Sequence, residues 1–293
     1  MLVRALLLIF ATCTVFAQSS FHHESQKWRR EREAKLKADD GWLTVSGLFW
    51  LKDGTTNTLG SGRKQNIVLP KGSAPLNVGT IELAHGVVTL KVAPRVRVKV
   101  KNIVVSEYMM KFDVKPPDPF TVGSLQLSVI KRGERYGLRV RDMNSQARRE
   151  FKGLRWFPAR ESYRVTASFI PDAQPKEIII MNVLGDELKM KSPGMLSFEL
   201  NGQTYQLRPV IEDDKKLFIL FKDLTAGKTT YGAGRFLYAD LPKDGKVVLD
   251  FNRSENPPCA FTLYATCPLP PKQNFLPVAI DAGEKDFHLP GRK

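Results

Sequence analysis

The stretch Ser124-Leu-Gln-Leu-Ser-Val-Ile-Lys-Arg-Gly-Glu-Arg-Tyr-Gly-Leu-Arg-Val-Arg-Asp142 decides the fold class. Residues 124–131 and 135–142 read as two strands. Lys131-Arg132-Gly133-Glu134 between them is a hairpin signal, because glycine takes the positive φ that a tight turn demands. Working outward, strand-like runs recur upstream at 65–69, 79–83, 87–92, 95–105 and 108–114. They follow a run of period two that opens with Trp42, Thr44, Val45, Leu48 and Trp50. Downstream they return at 163–170, 177–184, 195–200, 204–210, 217–221, 231–239 and 246–251, with Asn201-Gly202 as a two-residue turn. Short strands separated by glycine-bearing turns predict a mainly β protein built of antiparallel sandwich or barrel units. The polar residues 144–150 divide a first unit, 41–150, from a second, 151–293. Beyond Phe251 prolines are too frequent for a central strand. An irregular, proline-rich segment laid across the second sheet is expected there.

The amino-terminal region has a different character. Residues 25–38 are charged and helix-favouring, Trp28 and Leu36 are spaced to share one face, and Asp39-Asp40-Gly41 ends the run. Residues 18–40 therefore read as a short helix that docks through Trp28. Ahead of it, Arg4 precedes an apolar run that closes on Val15-Phe16-Ala17. A positive start, a short apolar stretch and Val15-Phe16-Ala17 at its end predict a secretory signal peptide over 1–17, cleaved after Ala17. A lipoprotein reading at Cys13 is an alternative with a poor motif. The run is too short for a comfortable membrane span, and no later segment is apolar enough to cross one. A secreted or periplasmic protein is expected.

The chain has 45 Lys and Arg against 30 Asp and Glu, a formal charge of +15. Such an excess favours anionic partners and says nothing about the fold. Of three cysteines, Cys259 and Cys267 would survive removal of the leader. In an oxidising compartment they can pair as a disulfide. Buried thiols, or a metal or reactive role with His288, are the alternatives.

Several motifs fail on inspection. Gly227-Lys228-Thr229 ends like a phosphate-binding loop but has Lys222 where the first glycine belongs. Gly232-Ala-Gly234 starts a dinucleotide fingerprint that lacks its third glycine at Leu237 and any βαβ frame. Histidine is scarce, His85 sits at a turn, and no Gly-x-Ser-x-Gly elbow exists, which disfavours a serine hydrolase. No cofactor and no metal site is indicated.

Two features remain. Arg95-Val-Arg-Val-Lys-Val-Lys101 would place Arg95, Arg97, Lys99 and Lys101 on one strand face. That row suits either protection of a sheet edge or a strip for a polyanion such as a wall polymer. Nucleic acid is not expected, because no aromatics interleave the run. The second feature is the terminal block: Tyr231-Gly-Ala-Gly-Arg235, Asp250-Phe-Asn252-Arg253, Asn256-Pro-Pro-Cys259, Ala265-Thr-Cys267-Pro and Ala282-Gly-Glu284. These motifs resemble the bacterial family called domain of unknown function 1684. The resemblance extends back through Leu138-Arg-Val-Arg-Asp142 to Gly41-Trp-Leu43. That family commonly carries an aromatic where this chain has Glu255. The resemblance implies a motif map and no reaction. At the fold level, Gly62-Arg63 and Asn66-Ile-Val-Leu69 are similar to the opening of forkhead-associated sandwiches, without their histidine.

The candidate ligand-binding residues are Tyr231, Arg235, Asp250, Asn252, Arg253 and Glu284. Three functional classes follow. A binding or accessory protein for an anionic small molecule or polymer needs a pocket with Arg235 exposed in it. A carboxylate hydrolase, drawing on Asp223, Asp240, Asp250, Glu255, Asp281 or Glu284, needs two carboxylates on one cleft, one titrating high. A structural or interaction protein without a small-molecule site would bury Arg235 against Asp250, with Asp250 and Glu284 pairing with Arg235 and Arg253.

Overall fold

The computed structural model describes residues 2–112, 118–212 and 215–287, with side chains from residue 20 onward. The chain is mainly β. Its first unit contains β1 (Val45–Leu51), β2 (Thr55–Gly60), β3 (Ile67–Val68), β4 (Gly79–Ala84), β5 (Val87–Val92), β6 (Val98–Val100), β7 (Ile103–Val105), β8 (Glu107–Met110), β9 (Phe120–Val122), β10 (Leu125–Arg132) and β11 (Arg135–Asp142). They form two sheets, ordered β1-β11-β10-β9-β6-β7 and β3-β2-β4-β5-β8. Leu59, Ile81 and Leu90 of one sheet share a core with Phe120, Leu127 and Leu138 of the other, which makes this unit a sandwich. The deciding hairpin forms as expected: β10 and β11 pair from Leu125–Asp142 to Arg132–Arg135 around Gly133 at φ 54°.

The second unit contains β12 (Arg164–Met181), β13 (Glu187–Leu200), β14 (Gln203–Leu207), β15 (Val210–Ile211), β16 (Lys216–Phe221), β17 (Arg235–Asp240) and β18 (Lys246–Asp250). Its sheets are β14-β13-β12-β18 and β15-β16-β17, and neither closes into a barrel. Leu196, Ile219, Leu237, Leu249 and Phe251 form its centre. Past β18 the chain runs as short 3₁₀ turns and extended backbone, and Leu276, Ile280 and Ala282 pack into that centre.

Several elements differ from expectation for physical reasons. The sequence reads as two strands with Pro171 and Pro175 between them, residues 163–170 and 177–184. They form one strand, β12, whose register against β13 shifts between Pro171 and Lys176, so the irregularity absorbs the missing N–H groups. The run 95–105 is a hairpin, β6 and β7, because Lys101 and Asn102 take left-handed backbone at φ 47° and 68°. The strand expected from Trp42 starts at Val45 after a 3₁₀ turn, Trp42–Thr44. The strand expected at 108–114 is β8, and residues 113–117 lie outside the described residues. β2 and β9 carry no strand signal in the sequence, β2 because Thr-Thr-Asn-Thr is polar.

The amino-terminal helix α1 (Leu2–Lys37) is longer than the charged run. Among its described side chains, Phe21, Ser25 and Leu36 are buried. The i, i+4, i+15 spacing from Phe21 to Leu36 marks one docked stripe. Trp28 meets Trp156 edge-on at 5.6 Å. Glu33 Oε1 accepts from the Leu154 backbone N–H at 3.0 Å and from the Trp156 indole at 3.2 Å, while Arg29 donates to the Phe157 carbonyl at 2.7 Å. The polar linker carries α2 (Gln146–Glu150), capped by the Ser145 hydroxyl.

Candidate functional site

The terminal block is held by polar contacts that its own motifs supply only in part. Arg235 at the start of β17 is 1% exposed. It donates to Asp223 Oδ2 at 2.8 Å, to the Ile280 carbonyl at 3.0 Å and to the Ala282 carbonyl. Asp223 is satisfied in turn by the Thr225 hydroxyl and by the backbone N–H of Ile280 at 2.9 Å. Arg235 therefore pins residues 280–282 onto the second unit and is closed to a ligand. Its acid partner is Asp223, and the expected burial against Asp250 does not occur.

The remaining candidates are dispersed. Asn252 donates to the Arg160 carbonyl at 2.8 Å and accepts from the Arg160 N–H at 2.9 Å. Asp250 pairs with Arg164 at 3.0 Å and with Arg253 at 3.4 Å. Tyr231 donates to the Cys259 carbonyl at 3.2 Å. Cys259 and Cys267 are thiols in contact, with the Cys259 N–H 3.1 Å from Cys267 Sγ. His288 lies outside the described residues. Arg95, Arg97, Lys99 and Lys101 are all exposed, but only Lys99 lies within a strand, and Arg95 sits at φ 66°. The basic run is thus no continuous row. Its strand β6 is flanked by β9 and β7, so it is not the sheet edge.

A cleft of 270 Å³ lies where α1 crosses the β16–β17 edge. It is lined by Trp28, Glu31, Arg32 and Lys35 from α1, Lys216 from β16, Tyr238 from β17, and Arg253 and Glu255 from the terminal block. Backbone geometry builds its floor. Glu255 and Phe236 exchange two backbone hydrogen bonds of 2.9 Å, extending the β17 edge, and Glu284 donates its N–H to the Ser254 carbonyl. Phe218 stacks on Tyr238 at 4.9 Å and holds that ring against the rim.

Arg32 is the centre of charge. Its Nε is 2.7 Å from Glu284 Oε1 and 3.3 Å from Glu255 Oε2, and its Nη2 donates to the Asn256 carbonyl at 3.0 Å. Glu284 is fully buried and also accepts the Asn256 N–H at 2.7 Å. Burial lowers the tendency of Arg32 to stay charged, but Glu284 and Glu255 outweigh it and raise its pKa. Glu255 is 18% exposed on the cleft side. Burial, then the charges of Glu284 and Glu212, push its carboxyl up to about 7 against the pull of Arg32 and Lys35. Loss of water around the phenol oxygen, then the charges of Glu212 and Glu255, raise the Tyr238 hydroxyl, although the residue as a whole is 39% exposed. Burial likewise raises the Glu284 carboxyl. Two carboxyl groups thus meet behind one cleft, and the one facing it changes protonation near neutrality.

Of the six sequence candidates, Arg253 lines this cleft and Glu284 stands directly behind it. Nothing in the sequence marks Trp28, Glu31, Arg32, Lys35, Lys216 and Tyr238 as site residues. They fall on an ordinary charged helix and on two strands, and no spacing rule links them. The only signals in the sequence were the Trp28 docking face and the carboxylate list that included Glu255.

A family model described as a protein of unknown function, DUF1684, matches residues 149–285. The chain carries that family's domain in its second unit and terminal block. No curated protein matches the chain. Among solved structures, it is similar to an uncharacterized protein of Haloarcula marismortui determined by solution NMR. The identity is 31%, over 47% of this chain and 78% of that one, with a TM-score of 0.40.

Proposed function

We propose that this is an exported binding protein for a small anionic, polar ligand held in the cleft between α1 and the β16–β17 edge. The observation that carries the reading is the lining itself. Lys35, Lys216 and Arg253 ring a 270 Å³ space between Trp28 and Tyr238, and Arg32 is already neutralised by Glu284. Ligand pockets commonly set a few convergent polar groups among apolar and aromatic walls in about 300–1,000 Å³; this cleft is smaller and more charged, which suits a small, polar ligand. Glu255, its carboxyl pushed up to about 7, can when protonated donate a hydrogen bond to an oxyanion that a charged carboxylate would repel. Export is supported by Arg4 and the apolar run that ends at Ala17, which precede the buried Phe21.

Thermal unfolding of the 18–293 protein against phosphates, acidic sugars, wall fragments and divalent metals tests the binding. A native-state ligand raises Tm with dose. The expected shift comes from an anion and is lost in a Lys35→Ala, Lys216→Ala variant, whose exposed side chains leave the fold intact. A flat panel would sink the reading and favour a structural role for the terminal block. Mass analysis of the exported product checks cleavage after Ala17. A second reading, a carboxylate-dependent hydrolase, draws on Glu255 and Glu31: an acid pushed up to about 7 in a cleft is placed for proton transfer, and Glu31 on the rim offers a second carboxylate.

A further inference from the structure

We propose that Cys259 and Cys267 are a reversible redox pair, a dithiol that closes to a disulfide by thiol–disulfide exchange and clasps the terminal block between the two β units. The geometry is already close to a bridge. Cys267 Sγ lies 3.1 Å from the Cys259 nitrogen. One N–Cα bond of about 1.5 Å further puts it within roughly 4.6 Å of Cys259 Cα. The Cα atoms are further apart by at most the Sγ–Cα reach of Cys267, about 2.8 Å, which bounds their separation at roughly 7.4 Å, close to the range of about 4.4–6.8 Å in bridged cysteines.

The segment between the cysteines links several elements. The Thr262 hydroxyl donates to the Val45 carbonyl of β1 at 3.0 Å. Arg132 of β10 donates to the Thr266 hydroxyl at 3.2 Å. The Cys267 carbonyl accepts from Val183, at the tip of the β12–β13 hairpin, at 2.9 Å. A bond from Cys259 to Cys267 would fix the loop that makes these contacts.

Arg139 supplies the chemistry. It is 7% exposed, lies over Trp42 at 5.2 Å, and its Nε and Nη2 have no hydrogen-bond partner among the described residues. Burial, then the charges of Arg132 and Arg141, lower it to about 10, and Cys267 is the neighbour that opposes this. An unpaired buried guanidinium is unfavourable unless an anion stands beside it. The Cys267 thiolate is such an anion, because Trp42, over which Arg139 lies, packs against the cluster that holds Cys267 and Cys259. In the resting dithiol the hydrogen bond with Cys259, then burial, hold the Cys267 thiol up, while Arg139 pulls it down.

Exchange starts at Cys259, the more exposed thiol. Its thiolate attacks one sulfur of a low-molecular-weight disulfide, forms a mixed disulfide and releases one thiolate. Cys267 then gives its proton to solvent, attacks Cys259 Sγ as the thiolate stabilised by Arg139, and expels the second thiolate. Two cysteine thiols lose two protons and two electrons, and the oxidant's S–S bond becomes two thiols.

The test uses the full chain with Cys13→Ser, so that two cysteines remain. The protein is held native in glutathione redox buffers, alkylated and digested. A linked Cys259–Cys267 peptide that dithiothreitol reopens, and a Tm higher in the oxidised form by roughly 5 °C, is the expected result. Both thiols still alkylated after oxidation, or glutathione retained on Cys259 with Cys267 free, would overturn the pair. Arg139→Met removes the charge at similar volume, and buried charges replaced in this way usually keep the fold. Closure at pH 7 should slow roughly tenfold and recover at higher pH as thiolate forms. An unchanged pH–rate profile would overturn the role given to Arg139.

Discussion

Replacing Glu255 by glutamine keeps the side chain's size but removes its charge, so it isolates the proton that sits at the cleft. In the folded protein this carboxyl titrates at about 7 against an ordinary value of 4.5. Below the unfolded value both states hold the proton and the group does not affect stability. Between the two values the native state binds a proton that the unfolded chain has released, so stability falls as pH rises. Above about 7 the loss is complete. At about 1.4 kcal/mol per tenfold it amounts to roughly 3 kcal/mol, an upper figure because the side chain is partly wet. Glutamine abolishes that slope. The variant should match the parent near pH 4.5 and exceed it at pH 8 by up to about 3 kcal/mol, or roughly 5–10 °C in Tm for a protein of this size. Glu284 contributes to the difference, since both carboxyls share Arg32 and their titrations are coupled. Urea unfolding at half-unit steps of pH measures it. Parallel stability profiles for parent and variant between pH 4.5 and 8 would refute the raised carboxyl, and with it the reading of Glu255 as a donor to an anion.

Three further outcomes follow from the same contacts. Arg32→Met leaves Glu255 and Glu284 without their cation, which should destabilise by about 3–5 kcal/mol at pH 8 and much less at pH 5, where Glu255 is protonated; equal losses at both values would count against the charge network. Arg235→Met strands the buried Asp223 and should destabilise by a similar amount, about 3–5 kcal/mol in urea titration, with part restored by adding Asp223→Asn. Gly234→Ala should destabilise by more than about 1 kcal/mol, because Gly234 sits at φ 98° and a methyl there meets Pro270 Cγ at 2.6 Å and the Phe221 carbonyl at 2.7 Å; thermal scans showing no loss would mean the turn can move.

The β architecture was legible because its signals are local. Gly133 and Asn201-Gly202 announce hairpins, and the period-two runs around them pair in the register those turns impose. What misled were residues whose local preference is overruled by neighbours. Pro171 and Pro175 look like strand ends, yet the offset between β12 and β13 accommodates them. Arg95–Lys101 looks like one strand, yet the left-handed pair Lys101 and Asn102 folds it back. The ion pairs were legible only by type. That buried arginines would need acidic partners follows from electrostatics, but Arg235 found Asp223, twelve residues upstream in a turn, and Glu284 found Arg32 on the distant helix. A partner 252 residues away leaves no trace in spacing. Asn274, fully buried and bonded to Arg208 and Leu220, shows the same blindness: nothing in Lys272-Gln-Asn274 marks it as a cross-link.

The dependence of the cleft on α1 has a thermodynamic consequence. Trp28, Glu31, Arg32 and Lys35 come from one helix, while Lys216, Tyr238, Arg253 and Glu255 come from the sheet edge and terminal block. The site is assembled only when the helix is docked. Docking rests on the buried Phe21, Ser25 and Leu36, on the Glu33 and Arg29 bonds to residues 154–157, and on Arg32 with Glu284. A ligand that touches both walls binds the docked state alone, so it must strengthen helix docking by the free energy of its own binding. Glu255 ties pH to the same equilibrium. Its ionisation adds a second anion beside Arg32, strengthening the helix contact, while its burial makes that anion unfavourable; the value near 7 is the balance of the two. An anionic ligand adds repulsion on the ionised side of that balance and should draw a proton onto Glu255 as it binds. Proton uptake on binding near pH 7 would therefore distinguish a ligand seated against Glu255 from one held only by the exposed lysines.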